Sequence, residues 1–184
     1  MDTPQPPLLF LDVDGPLIPF GTAGPEEHPA PPVRHSSNPL LFRLDPELGH
    51  LLSALRCELV WATTWMDEAN QVVSPALGLP ALPVVPWPER SDRHIDEWFG
   101  LHWKTRTLIA EAAGRTFVWI DDEIGARDRE WVADHYAGHA LLYRVDPRIG
   151  LRHSDVDAIA QWLELSSRPP GCCGRPLPTS GRPA

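Results

Sequence analysis

Two aspartates follow the first apolar run of the chain. The stretch LLFLDVDG at residues 8–15 ends in Asp12 and Asp14, which are separated by one valine and followed by Gly15. Neighbouring carboxylates repel each other and are costly to remove from water unless a cation or a proton lies between them. Taken alone, DVDG is also typical of a turn, because Asp and Gly are turn-forming residues. Other parts of the sequence must decide between a cation site and a turn.

Two further apolar runs also end in polar pairs. ELVWATT ends in Thr63 and Thr64, and TFVWIDD ends in Asp121 and Asp122. Each pair has an ordinary alternative, since Thr is frequent in strands and paired acids often form a solvated turn. The chain also contains 15 arginines but a single lysine, Lys104. Because the two cations are not interchangeable, a lone lysine indicates a position where arginine would not serve.

The elements that must position these residues alternate between strand and helix. The predicted strands are residues 8–14, 58–64, 81–87, 116–122 and 140–146, and the predicted helices are residues 46–55 (capped by Asp45), 66–78, 101–114, 126–138 and 154–165 (capped by Ser154). This alternation predicts an α/β fold with a doubly wound, Rossmann-like, mostly parallel five-stranded sheet. Ligands of such sheets bind at the carboxyl ends of the strands. The three polar pairs are therefore expected at one edge.

Two segments are too rich in proline and glycine for regular structure. Residues 16–38 are expected to form a lid loop, with Arg34 contributing to substrate binding, and no inserted cap domain is expected. Residues 166–184 are expected to be a disordered tail. The domain is therefore predicted to span residues 1–165.

The composition is that of a globular protein with no broad basic surface. The formal charge of −9 argues against a protein that binds nucleic acid through a broad cationic surface. It is compatible with an enzyme that binds only the end of a nucleic acid. Three cysteines form neither a disulfide framework nor a zinc site. No run reaches the length of a membrane span and no targeting segment is evident, so a cytoplasmic location is expected.

The polar pairs and the lysine together resemble the haloacid dehalogenase-like (HAD) hydrolase superfamily. The four pieces that carry the resemblance are LFLDVDG, LVWATTW, WKT and FVWIDDE, which occur in the family's order. More narrowly, they look like the HAD domains of Swiss Army Knife RNA repair proteins. The resemblance implies an HAD-like fold and phosphoryl transfer, a reaction that needs a nucleophile, a proton shuttle and positive charge around the phosphoryl oxygens.

The resemblance also implies roles for individual residues. Asp12 would be the nucleophile and would form an aspartyl-phosphate, and Asp14 would protonate the leaving oxygen and then activate water. Lys104 would bridge the phosphoryl group and Asp12. The resemblance also implies that phosphate is contacted by Gly15, Thr63 and Thr64. Mg²⁺ is expected to be bound by Asp12, Asp14 (through its carbonyl), Asp121 and Asp122.

The expected function is a Mg²⁺-dependent phosphatase acting on a phosphomonoester. Asp14 favours phosphate over halide chemistry, because a departing halide needs no proton. The substrate could be a phosphorylated small molecule, a nucleotide or a nucleic-acid end. A non-catalytic binding module with this fold and a phosphotransferase that uses an acceptor other than water also remain alternatives. The sequence does not decide the oligomeric state, or which of Thr63 and Thr64 is the main phosphate contact.

Overall fold

The computed structural model of the protein describes residues 5–21, 39–88, 96 and 98–167. Within them, four parallel strands form one sheet in the spatial order β2-β1-β3-β4. The strands are β1 (Leu8–Leu11), β2 (Glu58–Trp61), β3 (Phe117–Asp121) and β4 (Ala140–Arg144). The α/β class and the parallel sheet agree with the sequence prediction.

Within the part of the chain that the structure describes, five α-helices connect or follow the strands. They are α1 (Pro46–Ala54), α2 (Ser74–Leu77, continuing a π-helical turn at Ala69–Val73), α3 (Thr105–Ala112), α4 (Ala126–His135) and α5 (His153–Ser166); a 3₁₀ turn at Pro39–Arg43 precedes α1. None of the helices described is both long and apolar enough to cross a membrane.

Strand β1 is unbroken in hydrophobicity because both faces of the sheet are covered. Leu9 and Leu11 pack in a cluster with residues of α1, α2 and α5. Leu8 and Phe10 pack in a second cluster with residues of α3 and α4. Successive side chains of a strand point to opposite faces, so a strand between two helical layers needs apolar residues at every position.

The register brings the carboxyl ends of three strands together. Leu11, the last residue of β1, lies opposite Trp61 of β2 and Ile120 of β3. The next residue, Asp12, donates its backbone N–H to the carbonyl of Ile120 at 3.1 Å. The residues that follow β1 and β2 and the end of β3 therefore share one edge, as the sequence predicts.

The prediction of a strand at residues 81–87 is wrong. Val84 makes only an isolated bridge to Trp61, so the described sheet has four strands rather than five. Pro83 and Pro86 lack the N–H groups that a hydrogen-bonded ladder needs. The segment is held by the two backbone hydrogen bonds of that bridge, at 2.8 and 2.9 Å, and by Asn70. The Asn70 side chain accepts from the Leu82 N–H and donates to the Leu82 carbonyl, both at 2.8 Å.

Two of the predicted helix ends can be checked directly. Asp45 caps α1 as expected, because its side chain accepts from the Glu47 N–H at 3.0 Å. Ser154 does not cap α5, which begins one residue earlier. There the Asp155 carboxylate accepts from the Arg152 N–H at 2.8 Å and performs the capping. At its other end α5 includes Ser166, the first residue of the predicted tail.

The proposed lid loop is only partly described. Leu17 and Ile18, which belong to its first residues, are buried in the core rather than placed over a site. Arg34, the rest of that loop from residue 22 to 38 and the tail from residue 168 lie outside the described residues.

Candidate active site

A buried lysine lies between two carboxylates at the edge of the sheet. Lys104 Nζ is 2.7 Å from Asp12 Oδ2 and 2.8 Å from Asp121 Oδ2. All three residues are buried, and Lys104 is only 3% exposed. Removing an ammonium group from water is costly, and two close carboxylates offset that cost. The single lysine of the chain is therefore placed where two acidic ends of strands meet.

The other oxygens of the two acids are held by the backbone. Asp12 Oδ1 accepts from the Val13 N–H at 2.8 Å, and Asp121 Oδ1 accepts from the Glu123 N–H at 2.9 Å. The indole Nε1 of Trp119 adds a bond to Asp121 Oδ2 at 3.2 Å. These contacts fix the direction of both carboxylates before any ligand arrives.

The pKa values in this cluster are moved by burial and by neighbouring charge. Burial, opposed by the Lys104 ammonium and reinforced by the Asp121 carboxylate, raises the pKa of Asp12 to about 7. Burial works against ionisation of Asp121, but Lys104 holds the pKa of that carboxyl below its usual range. Burial alone would lower the pKa of Lys104, yet the two acids outweigh it and raise that pKa. Lys104 and Asp121 are thus charged at neutral pH, and Asp12 is close to its midpoint.

A third carboxylate completes an acidic group. Single oxygen atoms of Asp12, Asp121 and Asp122 lie within 4.8 Å of one another. Burial and the charge of Asp121 raise the pKa of Asp122. A bound divalent cation would relieve this mutual repulsion.

These residues fit a Mg²⁺ ion by their chemistry. Mg²⁺ takes oxygen ligands and usually combines one or two carboxylates with water molecules. The two backbone-bonded oxygens of Asp12 and Asp121 each keep a lone pair, and Asp122 is only partly buried. Asp12, Asp121 and Asp122 are therefore the side chains that would hold the ion. The expected contribution of the Asp14 carbonyl stays a prediction.

Gly15 allows the turn after β1 to pass close to Asp122. Its φ of +84° is left-handed, and a Cβ at this position would lie 2.5 Å from Asp122 Cγ. Its N–H donates to the Ile18 carbonyl at 3.0 Å, which closes the turn. Any side chain at this position would strain the backbone and push on a candidate metal ligand.

Asp14 lies beside the acidic group but has a different partner. Its Oδ2 accepts from the indole Nε1 of Trp65 at 2.9 Å, and the residue is half-buried. Its carboxylate is not part of the three-acid group that could hold a metal. Asp14 is therefore available for proton transfer, and its contact with Trp65 could not be read from the sequence.

The two threonines after β2 differ in exposure. Thr63 is fully buried and its Oγ1 accepts from the Trp65 N–H at 3.3 Å, whereas Thr64 is exposed. The carbonyl of Thr63 also accepts from the indole Nε1 of Trp87 at 2.9 Å. In the bond with the Trp65 N–H, Thr63 Oγ1 is the acceptor. The hydroxyl hydrogen of Thr63 can therefore point to a ligand. Which threonine contacts phosphate stays a prediction.

A buried aspartate that the sequence analysis missed links the two loops of the site. Asp128 Oδ1 accepts from the His102 N–H at 2.8 Å and from the Thr105 hydroxyl at 2.5 Å, on either side of Lys104. Its Oδ2 accepts from the Gly125 N–H at 2.7 Å, in the loop that follows Asp121 and Asp122. Asp128 therefore fixes the start of α3 relative to the end of β3. In the sequence it is one more acid in a charged helix, with no signal of burial.

His102 was also missed. Its Nδ1 accepts from the Lys104 N–H at 3.2 Å, so Nε2 carries the hydrogen and donates to Glu123 Oε2 at 2.9 Å. Its ring also lies against Trp119, with the ring centroids 5.7 Å apart. His102 with Asp121 and Glu123 forms a second group that could hold a metal ion. Because His102 Nε2 is occupied by Glu123, the group of Asp12, Asp121 and Asp122 is the better Mg²⁺ site.

Comparison with known protein families gives one assignment. Residues 8–156 match a family model described as the HAD domain in Swiss Army Knife RNA repair proteins. The matched range includes every described residue of the site. Searches of curated proteins and of solved structures found no significant match.

Proposed function

Because the chain belongs to the family of HAD domains in Swiss Army Knife RNA repair proteins, and so to the HAD hydrolase superfamily, we propose that it is a Mg²⁺-dependent phosphatase. The proposed reaction is hydrolysis of a phosphomonoester through an aspartyl-phosphate on Asp12. The observation that carries the proposal is the position of Lys104 Nζ, within 2.8 Å of both Asp12 and Asp121. That arrangement places a nucleophile beside a fixed positive charge.

The first step transfers the phosphoryl group to the enzyme. Asp12 attacks phosphorus, the bond from phosphorus to the leaving oxygen breaks, and that oxygen takes a proton from Asp14. The contact of Trp65 with Asp14 Oδ2 leaves Oδ1 to carry the proton. Lys104 and the Thr63 hydroxyl would neutralise the phosphoryl oxygens as charge builds on them.

The second step returns the enzyme to its starting state. Asp14 accepts a proton from water, and the water oxygen attacks phosphorus. The bond from phosphorus to Asp12 then breaks, which releases inorganic phosphate. When bound at Asp12, Asp121 and Asp122, Mg²⁺ would supply positive charge to the phosphoryl group and offset the repulsion among these acids.

The substrate is proposed at the level of a chemical class. The family description names RNA repair proteins, which favours a nucleotide or a nucleic-acid end. The net charge of −9 argues against tight binding through a broad cationic face, so a small phosphorylated metabolite is retained. In each case the reacting group is a terminal phosphate.

Hydrolysis of p-nitrophenyl phosphate by the pure protein tests the proposal. We expect activity with Mg²⁺, loss of activity with EDTA, and a fall of about 10⁴-fold or more in Asp12→Asn. Asp157→Asn removes the same charge from an exposed position on α5 and is expected to keep full activity. Activity that persists in EDTA or in Asp12→Asn would refute the mechanism.

The same assay separates the two alternatives. A phosphotransferase would release p-nitrophenol without an equal amount of inorganic phosphate when an acceptor alcohol is present. A non-catalytic binding module would be inactive on a panel of nucleotides, sugar phosphates and phosphorylated oligonucleotides, while still binding one of them.

A further inference from the structure

A cavity of about 850 Å³ lies behind the turn that carries Asp14. It is formed between the segment after β1, the start of α1 and the loop from β4 to α5. That volume exceeds the space needed by a single phosphate group, so it suits a larger part of a ligand. Of the described residues, none that is assigned to chemistry lines it.

Hydrogen bonds between separate segments build the walls of the cavity. The Leu151 N–H donates to the Pro16 carbonyl at 2.8 Å, and the Phe20 N–H donates to the Pro147 carbonyl at 2.7 Å. Arg43 Nη1 donates to the Pro19 carbonyl at 2.8 Å. The cavity is thus bounded by backbone that is tied in place rather than by loosely placed surface side chains.

The cavity adjoins the site through the backbone of the β1 turn. Gly150 lines the cavity and has a φ of +79°. A Cβ at this position would lie 2.9 Å from the carbonyl oxygen of Pro16 and 3.4 Å from that of Gly15. Gly15 directly follows Asp14, which is proposed to protonate the leaving oxygen. The turn lies between the site and the cavity, so a leaving group long enough to extend from Asp14 past this turn would reach the cavity.

The lining combines positive charge with apolar surface. Arg43 and Arg148 both line the cavity, and neither has a carboxylate partner among the described residues. Arg152, His153 and Asp45 also line the cavity, where His153 is paired with Asp45, and Arg152 is paired with Asp155. The apolar part includes buried leucines together with Phe20 and Ile149, each 57% exposed.

We infer that this cavity is a subsite for the leaving group, and that it selects phosphomonoesters whose leaving group carries an aromatic body and a second phosphate. Guanidinium groups match phosphate oxygens in geometry and charge, and they stay protonated at all relevant pH values. The exposed aromatic and aliphatic side chains would cover a base or similar ring. The inference rests on the proposed function, in which Asp14 protonates the leaving oxygen and the leaving group therefore lies on the side of Asp14.

The test compares substrates that do and do not reach the subsite. The probes are p-nitrophenyl phosphate, adenosine 3′,5′-bisphosphate and a 5′-phosphorylated dinucleotide, the last of which carries its second phosphate as a diester. Arg43→Gln and Arg148→Gln are expected to raise KM about three- to tenfold for one or both of the probes that carry a second phosphate. Neither variant is expected to change kcat, or KM for p-nitrophenyl phosphate.

A matched variant controls for loss of charge alone. Arg56→Gln removes an arginine just before β2, at the opposite edge of the sheet, and should leave all three KM values unchanged. A larger effect on the bisphosphate would indicate a free nucleotide, and a larger effect on the dinucleotide would indicate a nucleic-acid end. Equal KM values for the variants and the unmodified protein on every probe would overturn the subsite.

A binding measurement separates failure of the subsite from failure of the proposed function. Calorimetric titration of adenosine 3′,5′-bisphosphate into the unmodified protein needs no turnover. If no probe is hydrolysed, the proposed function fails, and weaker binding in Arg148→Gln would still support the subsite. If p-nitrophenyl phosphate is hydrolysed but the bisphosphate binds both proteins equally, the subsite is refuted and the phosphatase stands.

Discussion

At the scale of single residues, the ammonium group of Lys104 is the charge around which the site is arranged. It lies within 2.8 Å of two buried carboxylates. Breaking a buried ion pair by removing one partner leaves an uncompensated charge and costs about 3–5 kcal/mol. Here the loss of one lysine would expose Asp12 and Asp121 to each other.

We therefore expect Lys104→Met to lower the free energy of unfolding by about 3 kcal/mol at pH 8 in EDTA. The deficit should shrink at pH 5.5. The pKa of Asp12 is about 7 in the unmodified protein and would rise further without the lysine. Proton binding between pH 8 and 5.5 therefore stabilises the folded variant more than it stabilises the unmodified protein. Urea unfolding of the variant and of the unmodified protein at both pH values measures this difference in the free energy of unfolding. A deficit that is the same at pH 8 and 5.5 would contradict this expectation. Arg127→Met, which removes an exposed cation from α4, is the control and should change the stability little at either pH.

Proton binding at Asp12 also predicts how metal affinity depends on pH. A carboxylate must lose its proton to ligate Mg²⁺, and burial raises the pKa of Asp12 to about 7. Affinity for Mg²⁺ should therefore rise up to about tenfold per pH unit between pH 5.5 and 7 and level off above pH 7. Calorimetry in buffers of different ionisation enthalpy would count the released proton. Mg²⁺ affinity that is constant over this range, with no proton released, would count against Asp12 as a ligand.

At the scale of elements, Asp128 joins the start of α3 to the start of α4. Its carboxylate takes three hydrogen bonds from groups in the two loops of the site. In Asp128→Asn an amide N–H₂ would face one of these donors. We expect kcat for p-nitrophenyl phosphate to fall about tenfold or more while KM changes little, because Lys104 shifts by a fraction of an ångström. Asp128→Glu, which restores the charge, should recover part of the loss.

Two further measurements show whether Asp128 acts by positioning. Thr105→Val removes only one of the three donors and should have a smaller effect on kcat. The pH profile of kcat should also shift in Asp128→Asn, because the distance from Lys104 to Asp12 influences the ionisation of Asp12, the proposed nucleophile. Normal kcat and an unchanged profile in a folded Asp128→Asn protein would refute the positioning role.

The elements that could be predicted from sequence are those with local signals. β1, β2 and β3 have continuous apolar runs with polar ends, and the parallel register then brings those ends together. The segment 81–87 has a strand's composition, but its prolines prevent a ladder and the distant Asn70 side chain holds it. Contacts made across the fold, such as those of Asp128 and of Trp65 with Asp14, leave no periodic or compositional trace. The sequence therefore indicated the acids and the lysine of the candidate site, but not the residues that hold them in position.

At the scale of the whole molecule, binding of a metal should be coupled to folding. A ligand that binds only the folded chain stabilises it by RT ln(1 + [L]/Kd). With Mg²⁺ at about ten times its Kd, this gives about 1.4 kcal/mol and a rise in Tm of about 3–6 °C for a chain of this size. Thermal unfolding with and without Mg²⁺ measures the shift. The rise should be smaller in Asp122→Asn, and an equal rise in both proteins would exclude Asp122 as a ligand.

The position of β1 between β2 and β3 has a consequence for biosynthesis. Translation makes Asp12 well before its lysine at residue 104 and the second acid at residue 121. While the ribosome makes the intervening chain, β1 has β2 as a neighbour but neither β3 nor the ammonium group. A nascent chain halted before residue 104 would carry an unneutralised acid at the end of a hydrophobic strand. We therefore expect the proposed activity only after residue 122 has been made and β3 has joined the sheet.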